Sequence, residues 1–64
     1  MAADIELSGR IAAMRSHSEA AGLLGQVSLE AAYATCAIVL LDAAVEDGVE
    51  LDLDTLGDAF GVSL

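Results

Sequence analysis

From Ser28 to Asp47 the chain is apolar on nearly every side of a helical wheel. At about 100° per residue, Ser28, Thr35, Asp42 and Glu46 share one narrow arc, and Glu30 sits apart in the first turn. Everything else is Leu29, Tyr33, Cys36, Ile38, Val39, Leu40, Leu41, Val45 and a set of alanines. A helix with so wide an apolar coat needs cover on several sides.

The preceding segment has a different pattern. Leu7, Ile11, Met14, Ser18 and Ala21 recur at spacings of four and three, which makes one seam of about two heptads. A first helix is expected from about Asp4 to Leu24, with Asp4 as N-cap and Glu6 favouring the positive end of the helix dipole. Ser8 is a rival cap, and Gly9 weakens the first turns. Gly25 suits the left-handed residue that closes a helix. Ser28 is the expected N-cap of the second helix, and Gly48 its stop. So short a connection makes the two helices antiparallel neighbours.

After Gly48, Val49-Glu50-Leu51-Asp52-Leu53-Asp54 alternates apolar and acidic, the period of a half-buried strand. In an otherwise helical chain it reads as an extended connector, with pairing to its own copy across a dimer as the lesser alternative. Asp52 or Asp54 can cap a short third helix ending at Phe60, with Leu53, Leu56 and Phe60 on one face and Gly61 as its stop. Val62 and Leu64 are expected to pack back on the core. The expected fold is all-α: one small helical domain over residues 1–64, an antiparallel hairpin plus a short third helix.

Size changes the picture. A folded chain of 64 residues buries only about 60% of the surface its unfolded form exposes. Disulfides, metals or association usually compensate. One Cys and one His offer neither an intrachain disulfide nor a His/Cys zinc site. Association remains, and the first helix supplies a stripe where the second needs a coat. The expectation is a homodimer forming a four-helix-type bundle, with Leu29, Tyr33, Cys36, Ile38, Val39, Leu40, Leu41 and Val45 at the oligomer interface.

The charge is −9, from eleven acids against two arginines. Arg10 and Arg15 lie in the first helix. Asp42, Glu46, Asp47, Glu50, Asp52, Asp54 and Asp58 crowd the C-terminal part. Such a surface repels nucleic acid and anionic lipid and attracts a basic partner; acids also keep an Ala/Leu-rich chain soluble. These seven are the expected partner-binding face. A hydrophobic fraction of 56% without proline argues against disorder. Asp4 and Glu6 stand where a signal peptide would be basic. The uncharged run from Ala31 to Leu41 is short of the ~20 residues of a membrane span, so no membrane partner is expected. A single free thiol fits a reducing cytoplasm.

Candidate chemistry is sparse. A calcium loop begun at Asp52 places Asp54 third and Gly57 sixth, but Leu56 fifth and Ser63 twelfth, where oxygen ligands and a bidentate Glu are needed. Leu56-Gly57-Asp58-Ala59-Phe60-Gly61-Val62-Ser63 resembles the first helix and turn of a helix-turn-helix unit. That resemblance implies a truncated DNA-binding regulator, yet the neighbourhood is acidic where phosphate contacts need Arg or Lys. Asp54-Thr55-Leu56 is similar to the Asp-Ser-Leu attachment site of acyl carrier proteins, with Thr in place of the required Ser. His17, Cys36, Tyr33 and Ser28 form no nucleophile, base and orienting set, and Cys36 reads as a small buried hydrophobe.

No enzyme, cofactor or metal is expected. The sequence points to a small acidic protein-protein interaction module. In composition alone it is similar to phage-encoded inhibitors and other DNA mimics, which implies an inhibitor of a basic protein. The alternative is an accessory subunit docked permanently in a larger enzyme or capsid.

Overall fold

A computed structural model describes residues 3–61. It contains three helices: α1 (Ile5–Leu23), α2 (Val27–Glu46) and α3 (Leu53–Phe60). The first two pack as an antiparallel hairpin, and α3 packs on α1. The fold is all-α.

Local chemistry sets each boundary. The Asp4 carboxylate accepts the Leu7 N–H at 2.9 Å and caps α1, filling one of the donor positions left open at a helix start. At the other end Gly25 takes φ +74°. Its N–H donates to the Gly22 carbonyl at 3.1 Å, and the Gln26 N–H donates to Ala21 at 2.9 Å, the paired bonds of a Schellman turn. The same turn closes α2 through Gly48, whose N–H donates to Val45 while the Val49 N–H donates to Ala44. The start of α2 differs from expectation. Ser28 is not its cap: Gln26 holds that position without a side-chain bond. The tight turn at Gly25 leaves no residue to spare, so the helix begins at Val27.

The α1 seam is where the sequence places it. Ile11, Ser18 and Ala21 are buried, and Leu7 and Met14 half-buried. Ser8 joins this face as a fully buried residue. From α2 come Ala37 and Ala44, whose small side chains let the helix backbones approach closely. The core is Ile11, Ala37 and Leu56, with Leu7, Met14, Leu41, Leu51 and Phe60 packed against it. Ser18 ties the hairpin with a buried bond from its Oγ to the Glu30 carbonyl at 2.9 Å.

The connector after α2 is extended, as its alternation predicts, but it pairs within the chain. The Asp4 N–H donates to the Glu50 carbonyl at 2.7 Å, and Asp4 and Leu51 form a single parallel bridge. That bridge holds the connector against the start of α1. Leu53 also departs from expectation. Leu56 is buried and Phe60 half-buried, but Leu53 is 61% exposed: as the first residue of α3 it lies before the turn that reaches α1. Val62 and Leu64 lie outside the described residues.

Candidate protein-interaction surface

Among the described residues, ten large apolar side chains are exposed, and Val27, Leu29, Ile38, Val39, Leu40 and Val45 of these are on α2. The concentration matters more than the number, since single exposed apolar residues are ordinary and a contiguous set is not. On the wheel they form two strips on either side of the buried Ala37–Ala44 line. One carries Val27, Ala31, Ile38 and Val45. The other carries Leu29, Ala32, Cys36, Val39, Leu40 and Ala43. Ser28, Thr35, Asp42 and Glu46 separate the strips on the side away from α1.

The expected interface residues divide between the chain's own core and this surface. Leu41 packs on the Ile11 cluster. Tyr33 is half-buried beside His17 of α1, ring centroids 5.2 Å apart and tilted by 34°. Leu29, Ile38, Val39, Leu40 and Val45 are exposed. Cys36 is a free, exposed thiol, whereas the sequence suggested a buried one. Among the described residues its side of α2 has no cover, because α3 packs on α1. Val27, 71% exposed, extends one strip beyond the expected set. The signal for it is its spacing of four from Ala31, which continues to Ile38 and Val45 in steps of seven.

The acidic residues are dispersed along one end of the molecule. Asp42 and Glu46 lie on the polar arc of α2, Asp47 and Glu50 in the connector, and Asp54 and Asp58 on α3, all exposed. Asp52 is different. It is half-buried at the N-cap of α3, where it accepts the Thr55 hydroxyl. Among the described residues both arginines pair within α1, Arg10 with Glu6 at 3.0 Å and Arg15 with Glu19 at 3.7 Å. The seven C-terminal carboxylates therefore have no ion-pair partner there. No cluster of three or more His, Cys, Asp or Glu suited to a metal ion occurs among the described residues.

By length and composition α2 is also long and apolar enough to cross a membrane. The uncharged run ends at Leu41, short of a span, but the helix runs on past Asp42 to Glu46. Comparison of the chain with protein-family models, curated proteins and solved structures gives no match.

Proposed function

We propose that this protein is a small acidic interaction module that acts by binding other proteins, without catalysis. It self-associates through α2 and offers its carboxylate-rich end to a partner with a basic surface, in the manner of an inhibitor or nucleic-acid mimic such as a phage-encoded one. The observation that carries the reading is the exposure of apolar residues along the whole of α2, from Val27 at 71% to Val45 at 66%. Burying that surface is favourable by about 25 cal/mol per Å², and among the described residues α3 packs on α1 and leaves it uncovered. The exposed carboxylates supply the second half, since fields of one sign steer association with the opposite charge.

Sedimentation equilibrium at micromolar concentration tests the first half. A dimer is expected, and a monomer throughout rejects it. Recovery of the chain from its source cell, with intact-mass measurement of the complex, tests the second half: a basic partner whose affinity falls with added salt is expected. The same exposed helix supports an accessory subunit seated permanently in a larger assembly. That reading predicts aggregation when the chain is expressed alone, whereas a self-sufficient dimer stays soluble.

A further inference from the structure

We infer that α2 pairs with α2 of a second copy in antiparallel register, with Cys36 at the two-fold axis. The inference rests on the self-association reading and adds its geometry. Helix α2 spans Val27–Glu46, so Cys36 is at its middle. The positions of the strip through Cys36 are spaced symmetrically about it: 29 and 43 lie seven residues away on either side, 32 and 40 four. A two-fold axis there sets each residue against the one equally far on the other side. Leu29 then meets the partner's Ala43, and Ala32 meets the partner's Leu40. In both pairs a large side chain faces a small one, the alternation that lets facing layers interdigitate.

Charge selects the direction. The C-terminal end of α2 carries Asp42, Glu46 and Asp47, and its N-cap, Gln26, makes no side-chain bond. A parallel pair would stack carboxylate on carboxylate. The antiparallel pair brings Glu46 level with the partner's Gln26, near backbone N–H groups at the positive end of a helix dipole, where anions are stabilised; Asp42 comes level with the partner's Glu30, but both lie off this strip, beside the other one.

The second strip fits less well. The positions that would complete its spacing of three and four, Ala34 and Leu41, are not on the open strip but half-buried in the chain's own hairpin, and Glu30 and Asp42 border it. The surface area agrees with a missing partner. On the strip itself Leu29 is 46%, Val39 59% and Leu40 36% exposed, area that only a second molecule can cover among the described contacts.

Mild oxidation with copper-phenanthroline, run beside sedimentation equilibrium, tests the geometry. In the native chain Cys36 should form a disulfide-linked dimer quickly, because residues facing each other at the axis fall within bonding range. Ala43→Cys on a Cys36→Ser background should cross-link roughly tenfold more slowly, since antiparallel pairing separates the two copies of that position by about 21 Å along the helix. Mixing it with Leu29→Cys on the same background should restore fast cross-linking between unlike chains. A sedimenting dimer in which Ala43→Cys links to itself as fast as Cys36 overturns the register, and one in which Cys36 fails to link overturns the choice of strip. In either case the self-association reading stands. A monomer overturns both, and a monomer that floats with phosphatidylcholine vesicles assigns α2 to a bilayer.

Discussion

The hydroxyl of Ser8 joins the two ends of the described fold: its Oγ accepts the Asp52 N–H at 2.8 Å across 44 positions of sequence and donates to the Asp4 carbonyl at 2.7 Å. Asp52 is the N-cap of α3, so this buried bond ties α3 to the first turn of α1. Ser8→Ala removes the acceptor and leaves a partly buried N–H without its partner. The expected loss is about 1–3 kcal/mol, read as a lower midpoint in urea denaturation. Hydrogen exchange in α3 should rise more than in the hairpin.

The second buried serine should matter less. Ser18 donates to the Glu30 carbonyl, an acceptor that also lies within the hydrogen-bonded first turns of α2. Losing the hydroxyl therefore strands no backbone donor, and Ser18→Ala should cost about 0.5–1.5 kcal/mol. If both variants lose the same stability in parallel urea titrations, the distinction between stranded donor and satisfied acceptor fails.

Two glycines should respond in opposite directions to alanine. Gly9 is exposed inside α1, and a Cβ there would meet nothing within 4 Å. Gly9→Ala should stabilise by about 0.5–1 kcal/mol through helix propensity and a less flexible unfolded chain. Gly25 has equal space but holds φ +74°. Gly25→Ala forces a Cβ into the left-handed region and should cost about 1–2 kcal/mol. Thermal melts of the two variants beside the parent check the pair.

Periodicity and turn chemistry carry most of this fold. The seam from Leu7 to Ala21 follows directly from spacings of three and four, and Gly25 and Gly48 end their helices because so few residues accept positive φ. Two local details depend on tertiary contacts that no short window contains. Ser8 reads as a cap until Asp52 is brought beside it. Likewise, the alternation from Val49 to Asp54 cannot show that α3 begins at Leu53 and breaks the pattern there. The apolar coat of α2 was legible as a deficit, and the structure places its unburied sides. Which expected interface residues serve the hairpin instead, as Leu41 does, depended on where α1 settled.

A charge on the exposed strip should separate association from folding. Val39 is 59% exposed and outside the hairpin core, so Val39→Asp removes no internal packing. Helicity by circular dichroism should hold while the dimer dissociation constant rises at least about tenfold, the equivalent of 1.4 kcal/mol. Ala37→Val is the converse. Ala37 is fully buried between α1 and α2, so the added methyl groups should cost about 1–3 kcal/mol of folding stability by overpacking. A Val39→Asp chain that sediments like the parent would remove this strip from the interface.

The acidic end makes its own prediction once a basic partner is in hand. Asp42, Glu46, Asp47, Glu50, Asp54 and Asp58 are exposed, so their contacts would be rim-like and screened as the Debye length shrinks from about 10 Å at 0.1 M salt to 3 Å at 1 M. Replacing Asp54 and Asp58 together by Asn should slow association and flatten its salt dependence, with little effect on dissociation or on the melt of the free protein. Asp52 should break ranks with the others. Its carboxylate makes no bond to the backbone of α3 but accepts the Thr55 hydroxyl, so Asp52→Ala should cost about 0.5–1.5 kcal/mol of stability as the loss of that hydrogen bond. Stopped-flow association rates over a salt series, set against thermal melts of the same variants, separate the two roles. If all of these variants shift the melt alike and none shifts the rate, the carboxylates serve folding or solubility, and the binding role assigned to them is wrong.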